Sequence, residues 1–393
     1  NLNTLLDACR EDDRLKTLTD RLAISAPLNL TLQGLTGTST AIISGALWNN
    51  TDYNHVFILN DREEAAYFQN DLENILHALD IFYFPDSFKK AGFFDVMNGS
   101  HLMLRTEALM KFAGSSVHKK ILVTYPEALF EKVIRPNEFS SAMIEVKAGT
   151  EIQLDDLLGK LVQAGFERSD FVYEPGQFAM RGGILDIYSF GNDKPYRIEL
   201  SGNDIESIRI FDPETQLSER KLLQVTLIPN MKFKKEGQDK TSLFEFLPEN
   251  TIWWITDKNF LIETIRSLEE KLQHFLDLSG KDVAIVRETL SDTEEEKSVA
   301  LTVNDFITAA SVSDWLKEKK VVQFNPSNEQ QEETEKIEFH TTPQPVFNRR
   351  FDMLIEDLKK YKDQQYALFI FSDNPKQLAR IQAIFDDLKS DIP

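Results

Sequence analysis

Leu28-Asn29-Leu30-Thr31-Leu32-Gln33-Gly34-Leu35-Thr36-Gly37-Thr38-Ser39-Thr40-Ala41 is the stretch whose reading decides the fold of this 393-residue chain. Leu28–Leu32 reads as a short apolar strand of the buried parallel kind, and a helix pattern follows the glycine-rich turn. Strand, glycine turn and helix in that order are the setting of a phosphate loop. A working loop ends in Gly-Lys-Ser/Thr, because the lysine reaches the β- and γ-phosphates and the hydroxyl holds Mg²⁺. Here Ser39, Thr40 and Ala41 take those three places. Gly34, Gly37 and the bare amides would hold an anion only weakly, and a tight strand–helix turn explains the same residues. No Asp-Glu-x-His or similar acidic motif follows to hold the metal. The loop is thus a relic or a turn, and the chain is expected not to hydrolyse a nucleotide by itself.

Outward from this turn, Val56–Leu59, Ile81–Phe84 and Ile121–Thr124 are further short apolar strands, with helix patterns between them. One helix opens on Asp61 with Glu64 three residues on, a capping-box spacing, and another runs from about His101 to Phe112. Such alternation predicts a parallel α/β sheet. After Pro136 the pattern changes. Thr150 and Gln153 repeat the capping spacing, and Leu154, Leu157, Leu158, Leu161 and Val162 line one helix face. From Phe171 to Phe211 the period becomes two, with Ser201-Gly202-Asn203-Asp204 as a turn. That is a small α+β unit.

Helix–strand alternation returns after Thr226, with a strand at Ile252–Thr256 and a helix carrying Leu261, Ile265, Leu268, Leu272 and Phe275. The expected organisation is an α/β domain split into 1–136 and 226–325, with the α+β domain 137–225 inserted between its halves. Residues 326–336 read as a polar linker, and 337–393 as the start of a third α/β unit, with a strand at Ala367–Phe371 between two helices.

Composition narrows the function classes. The chain carries 64 acidic against 44 basic residues, a net charge of −20, which disfavours general nucleic-acid binding because that affinity comes from Lys and Arg on phosphates. Cys9 is the one cysteine, so no internal disulfide or cysteine-based zinc site is expected, and the six histidines have no ligand-like spacing. No apolar run approaches a membrane span, and the charged first twenty residues do not read as a signal peptide. A reducing, cytoplasmic setting is expected.

The second informative stretch is Pro175-Gly176-Gln177-Phe178-Ala179-Met180-Arg181-Gly182-Gly183-Ile184-Leu185-Asp186-Ile187-Tyr188 with Tyr196-Arg197-Ile198-Glu199-Leu200 beyond it. Pro175-Gly176 makes a turn, and Gly182-Gly183 suits a bulge or a close backbone approach. Alternation places Arg181, Arg197, Glu199 and Arg209 on one polar strand face. That face is either solvated or an interface, since arginine is the residue an interface prefers for bidentate carboxylate contacts.

These two segments, continued through Ser201 to Gln216, closely resemble the N-terminal region of the transcription-repair coupling factors (Mfd), the region that family shares with the excision-repair protein UvrB. The resemblance covers residues 1 to about 340 as a UvrB-like module. It implies a split first domain with an inserted domain that docks onto UvrA. By position, Arg168, Arg181, Arg197 and Glu199 are the docking candidates, with Phe171 and Asp186 as flanking contacts. Core packing explains Phe171 at least as well. UvrB keeps its phosphate-loop lysine where this chain has Thr40, and it carries a tyrosine-rich hairpin absent between Phe84 and Lys119. Both departures match Mfd.

The resemblance further implies a UvrA-recruiting module in transcription-coupled nucleotide excision repair. ATP and Mg²⁺, double-stranded DNA and RNA polymerase would belong to motor and polymerase-binding domains outside this chain, where a translocase displaces the stalled polymerase. For the chain itself the expectation is no catalysis, no cofactor, no metal, no membrane and little DNA affinity. The alternative is a nucleotide-binding, helicase-type enzyme related to UvrB with a divergent loop.

Overall fold

The computed structural model describes the chain except residues 1, 25–26, 78–79, 115–117, 137–142, 191, 193, 229–239, 280–283, 290–296, 325, 327–334, 349, 373, 389–391 and 393. In its first part, β1 (Leu28–Gln33), β2 (Asn54–Ile58), β3 (Ile81–Tyr83), β4 (Val96–Asn98) and β5 (Ile121–Thr124) alternate with helices Ser39–Trp48, Arg62–Leu76 and Gly99–Ala113. Every residue of β2 and β5 is buried, as parallel strands covered on both faces require. Asp61 caps its helix as the spacing predicts, accepting the Glu64 N–H at 2.9 Å. The return bond differs: the Glu64 carboxylate takes the Asn60 amide.

The middle of the chain holds β6 (Val133–Ile134), β7 (Ile144–Lys147), β8 (Glu167–Arg168), β9 (Gln177–Arg181), β10 (Ile184–Ile187), β11 (Tyr196–Ser201), β12 (Asp204–Phe211), β13 (Ser218–Leu222), β14 (Gln224–Leu227) and β15 (Lys240–Thr241). Six of these form one sheet in the order β13-β12-β11-β10-β9-β8, antiparallel except for the β8–β9 pair. Helix Leu154–Gln163 buries Leu157 and Leu161 against Phe178, Leu185, Ile187 and Ile198 on one sheet face, making a second core. The capping box expected at Thr150 is not formed. Gln153 is the N-cap without a side-chain bond, and the Thr150 hydroxyl donates back to the Lys147 carbonyl at 2.7 Å. β7 pairs antiparallel with β14, Ile144 opposite Leu227, so the chain runs in and out of this region along a two-stranded neck.

The last part supplies β16 (Thr251–Ile255), β17 (Ala284–Thr289), β18 (Lys297–Leu301), β19 (Lys320–Phe324) and β20 (Glu335–Glu338). The main sheet has seven parallel strands in the order β20-β1-β19-β16-β2-β5-β3. β16 and β19 therefore sit between β1 and β2, and neither half of the chain can complete the sheet alone. The fold class expected from the sequence is the one observed, a parallel α/β sheet interrupted by a small α+β domain.

Two further local expectations fail. Glu335 and Lys336, placed in the polar linker, open β20 and pair with Leu30 and Thr31. An edge strand buries little, only Ile337 of these four residues, so its composition imitates a linker. Ala367–Phe371, expected as a strand between helices Phe351–Asp363 and Pro375–Asp387, has no strand pairing among the described residues. Its apolar pattern alone cannot supply the ladder of hydrogen bonds that makes a strand.

At the centre of the main sheet His55 is fully buried, stacked on Trp254 at 5.9 Å. Trp254 Nε1 donates to His55 Nδ1, and His55 Nε2 lies 3.1 Å from the Thr51 hydroxyl. Burial, then the Lys119 charge, pushes the imidazole down to about 3. The unfolded chain, with an ordinary histidine, binds the proton first, so stability falls as pH drops from about 6.5 towards 3. The expected slope is at most about 1.4 kcal/mol per pH unit from this group. His55→Phe weakens the core at neutral pH, and its deficit in urea unfolding is expected to shrink between pH 7 and pH 4.5. A constant deficit would refute the assignment.

Candidate partner-binding site

The site is built on the β9–β10 hairpin. Gly182 takes φ +58° and with Gly183 forms a two-residue turn, Arg181 opposite Ile184. Gly183 also permits the close approach read from the sequence, since a Cβ there would lie 2.7 Å from the Leu200 carbonyl oxygen. Register then aligns Ala179, Asp186, Arg197 and Arg209 across four strands, and Arg181, Ile184 and Glu199 across three. The alternation did place these side chains on one face.

What alternation does not show is that this face has its own buried centre. Asp186 is 0% exposed. Its carboxylate accepts Arg197 Nε at 2.7 Å and Nη2 at 2.9 Å, a two-pronged pairing, and Arg181 Nη2 at 2.5 Å. Arg197 also donates to the Gln216 carbonyl at 3.0 Å and lies 4.3 Å over the Phe211 ring. The Asp186 hydrogen bond is the chief reason its guanidinium is held above the ordinary arginine range. Only 14% of the Arg197 side chain is exposed and none of the Asp186 side chain, so both face the hub rather than the solvent. Glu199 is engaged by the Ser207 hydroxyl and by Arg209 at 3.4 Å, in a pair a third exposed.

The outward-facing residues surround this hub. Phe171, which core packing would have explained, is 48% exposed, and Arg181 lies 4.4 Å over its ring. Tyr173 is 55% exposed with its ring 6.3 Å from that of Phe171. Val172 between them is buried with Ala179, Tyr188 and Phe211. The loop is held firmly: the Gln177 side chain accepts the Tyr173 and Glu174 amides, and Gln216 Nε2 donates to the Val172 carbonyl. Leu217 and Ile184 are exposed beside it. Arg168 lies on the exposed edge strand β8, with no ion pair among the described residues. Sequence reading missed Tyr173, Leu217 and the two glutamines. The i, i+2 placement of Phe171 and Tyr173 about a buried valine was the available signal.

The Gly34 loop is closed by its own chain. Ser39 Oγ accepts the Thr36 amide at 2.8 Å and donates to the Thr36 carbonyl at 2.7 Å. The Thr341 amide and hydroxyl both donate to the Gly34 carbonyl, and the Thr341 hydroxyl lies 2.9 Å from that of Thr36. Thr40 and Ala41 are buried in the helix. Asp71 hydrogen-bonds Thr38 at the mouth, its carboxyl pushed up by burial. An amide already bonded and a nearby carboxylate both work against an incoming phosphate. Among the described residues no cluster of three or more His, Cys, Asp or Glu could hold a metal, and no helix is long and apolar enough to cross a membrane.

Residues 144–233 match the family model of the UvrB interaction domain, which covers the six-stranded sheet, its helix and the two-stranded neck. The chain therefore carries a UvrB interaction domain set into a helicase-like parallel sheet. As a whole it is similar to transcription-repair-coupling factors, and the resemblance read from its sequence is borne out. The factor of Staphylococcus haemolyticus is 23% identical over 430 aligned residues, 97% of this chain and 36% of the relative. That of Bacillus subtilis is 27% identical over 246 residues, 62% of this chain and 20% of the relative, and that of Myxococcus xanthus 36% over 116, 30% and 10%. The chain thus spans only about a third of the length of the Staphylococcus haemolyticus factor.

Proposed function

We propose that this chain is the UvrA-recruiting N-terminal module of a transcription-repair coupling factor, acting in transcription-coupled nucleotide excision repair. The docking surface is the face carrying Phe171, Tyr173, Arg181 and Leu217, with Arg168 on the exposed edge strand β8 at its border. The observation that carries this reading is the held, exposed aromatic pair beside Arg181, within a domain that matches the UvrB interaction domain. Aromatic and arginine anchors at the centre of a patch supply most of an interface's free energy. Asp186 and Arg197 hold that surface in shape from beneath, while Glu199 and Arg209 form its polar rim.

The whole protein would be an ATP-dependent DNA translocase that displaces stalled RNA polymerase, with ATP and Mg²⁺ used by domains beyond this chain. The chain itself supplies recruitment and neither catalysis nor a cofactor site, which the closed Gly34 loop supports. Its charge of −20 argues against strong DNA binding. A cytoplasmic location follows from this role, and 137–225 are the proposed limits of the docking domain.

Capture of UvrA by the full chain tests the reading. Phe171→Ala combined with Arg168→Glu is expected to weaken capture by about a hundredfold or more, with an unchanged unfolding transition, because both side chains are exposed. Capture at the wild-type level would overturn the assignment of this face.

A further inference from the structure

The opposite side of the inserted sheet meets the scaffold at a crevice that recruitment does not use. Helix Gly99–Ala113 of the scaffold runs up to the insert there, and Met110 packs against both hydrophobic cores. Beside it a cavity of about 630 Å³ is bounded by Lys111 from the scaffold and by Lys194, Tyr196, Ile210 and Arg220 from the insert. Tyr196, Ile210 and Arg220 stand in one cross-strand row, so β11, β12 and β13 form its wall. Tyr196 belongs to the face packed on helix Leu154–Gln163, whereas its neighbour Arg197 points to the docking side.

The crevice is cationic in a chain that is acidic overall. Three cations converge on it against one lining carboxylate, Glu219, which Lys194 already holds at 2.5 Å. Neither Lys111 nor Arg220 has an ion pair among the described residues. In a chain with twenty more acidic than basic groups, cations gathered from both domains repel one another across the seam unless an anion lies between them. The amide of Asn192 donates to the Tyr196 hydroxyl at 2.8 Å, fixing a ring that, with Ile210, gives the crevice a partly apolar floor. The crevice is open to solvent, and its cationic rim suits the phosphate oxygens of a small, hydrated anion.

We propose that this crevice binds a small phosphate-bearing polyanion, which bridges Lys111 of the scaffold to Lys194 and Arg220 of the insert. Bound there, it ties the docking domain to the parallel-sheet domain through charge-assisted hydrogen bonds.

Inorganic pyrophosphate is the probe. Calorimetric titration of the full chain at about 0.15 M salt is expected to show saturable binding at one site, with a matching rise in the thermal midpoint. Lys111→Gln with Arg220→Gln should weaken binding at least about tenfold and abolish the thermal shift. Lys317→Gln, which removes an exposed cation outside the cavity, should change affinity by less than about twofold. Absence of saturable binding up to about 10 mM overturns the proposal. So does wild-type affinity in the double variant, which would place the anion elsewhere, for example at the Gly34 loop. UvrA capture by the double variant is expected to be unaffected, so the outcome is independent of the docking face.

Discussion

Asp186→Ala is expected to destabilise the inserted domain by about 3 kcal/mol or more, the cost of stranding a buried charge when its partner is removed. Asp186 is 0% exposed, and Arg197, bonded to it through Nε and Nη2, is nearly as deep. With the carboxylate gone, the Arg197 guanidinium keeps the Gln216 carbonyl, the Phe211 face and the more distant Glu199 charge. Arg181 suffers less. A third of its side chain is in water, so Arg181→Ala should cost under about 1 kcal/mol in stability. Urea unfolding, with hydrogen exchange at the β10 and β11 amides, separates these cases. Replacing both members by apolar residues, as in Asp186→Leu with Arg197→Met, should recover much of the loss, because the pair is costly to bury and costlier to break. An Asp186→Ala protein within about 0.5 kcal/mol of wild type would refute the hub. The consequence for function is direct: loss of UvrA capture by Arg197→Ala would report a loosened surface rather than a lost contact.

Gly34→Ala should be the second large loss, about 3 kcal/mol. Gly34 takes φ +75°, where a side chain costs about 1–2 kcal/mol, and a Cβ would sit 1.8 Å from the Phe339 carbonyl oxygen. To relieve that overlap, β20 must leave β1. The bonds from the Phe339 amide to Gln33 O and from the Thr341 amide to Gly34 O then go, each worth about 1 kcal/mol. Gly37→Ala is the internal control. Its φ is +56°, but nothing lies within 4 Å of the added methyl, so it should cost only about 1 kcal/mol. Amide exchange at Phe339 and Thr341 should speed up in the first variant and not in the second. ATP with Mg²⁺ should leave the wild-type unfolding midpoint unchanged. A loop that gripped a nucleotide would give the reverse pattern, with ligand-dependent stability and comparable sensitivity at both glycines.

The glycine loop shows how the same residue carries two readings. Gly34 and Gly37 look alike in sequence, and a phosphate cradle explains both. In the structure Gly34 is required by a strand some three hundred residues away, a pairing with no trace in the local sequence. The docking face behaves similarly. Alternation about Leu185 and Ile198 is enough to put Arg181, Arg197 and Glu199 on one side. Whether that side is wet depends on the loops from Ser169 to Gly176 and from Asp212 to Leu217, which fold over it and bury Asp186.

By itself, the sequence determined most of the elements and the alternation between them. Apolar runs marked β1 and β5, period-two alternation marked β11 and β12, and the change of period at Pro136 marked an insertion. These are properties of neighbouring residues, and a side chain's spacing along a helix or strand is local. Only the tertiary structure decided that β16 and β19 slot between β1 and β2, that Glu335–Glu338 is an edge strand, and which arginines brace and which face outward. Strand order and burial depend on contacts between distant segments, where the free energy of closing a sheet or covering a charge outweighs any local preference.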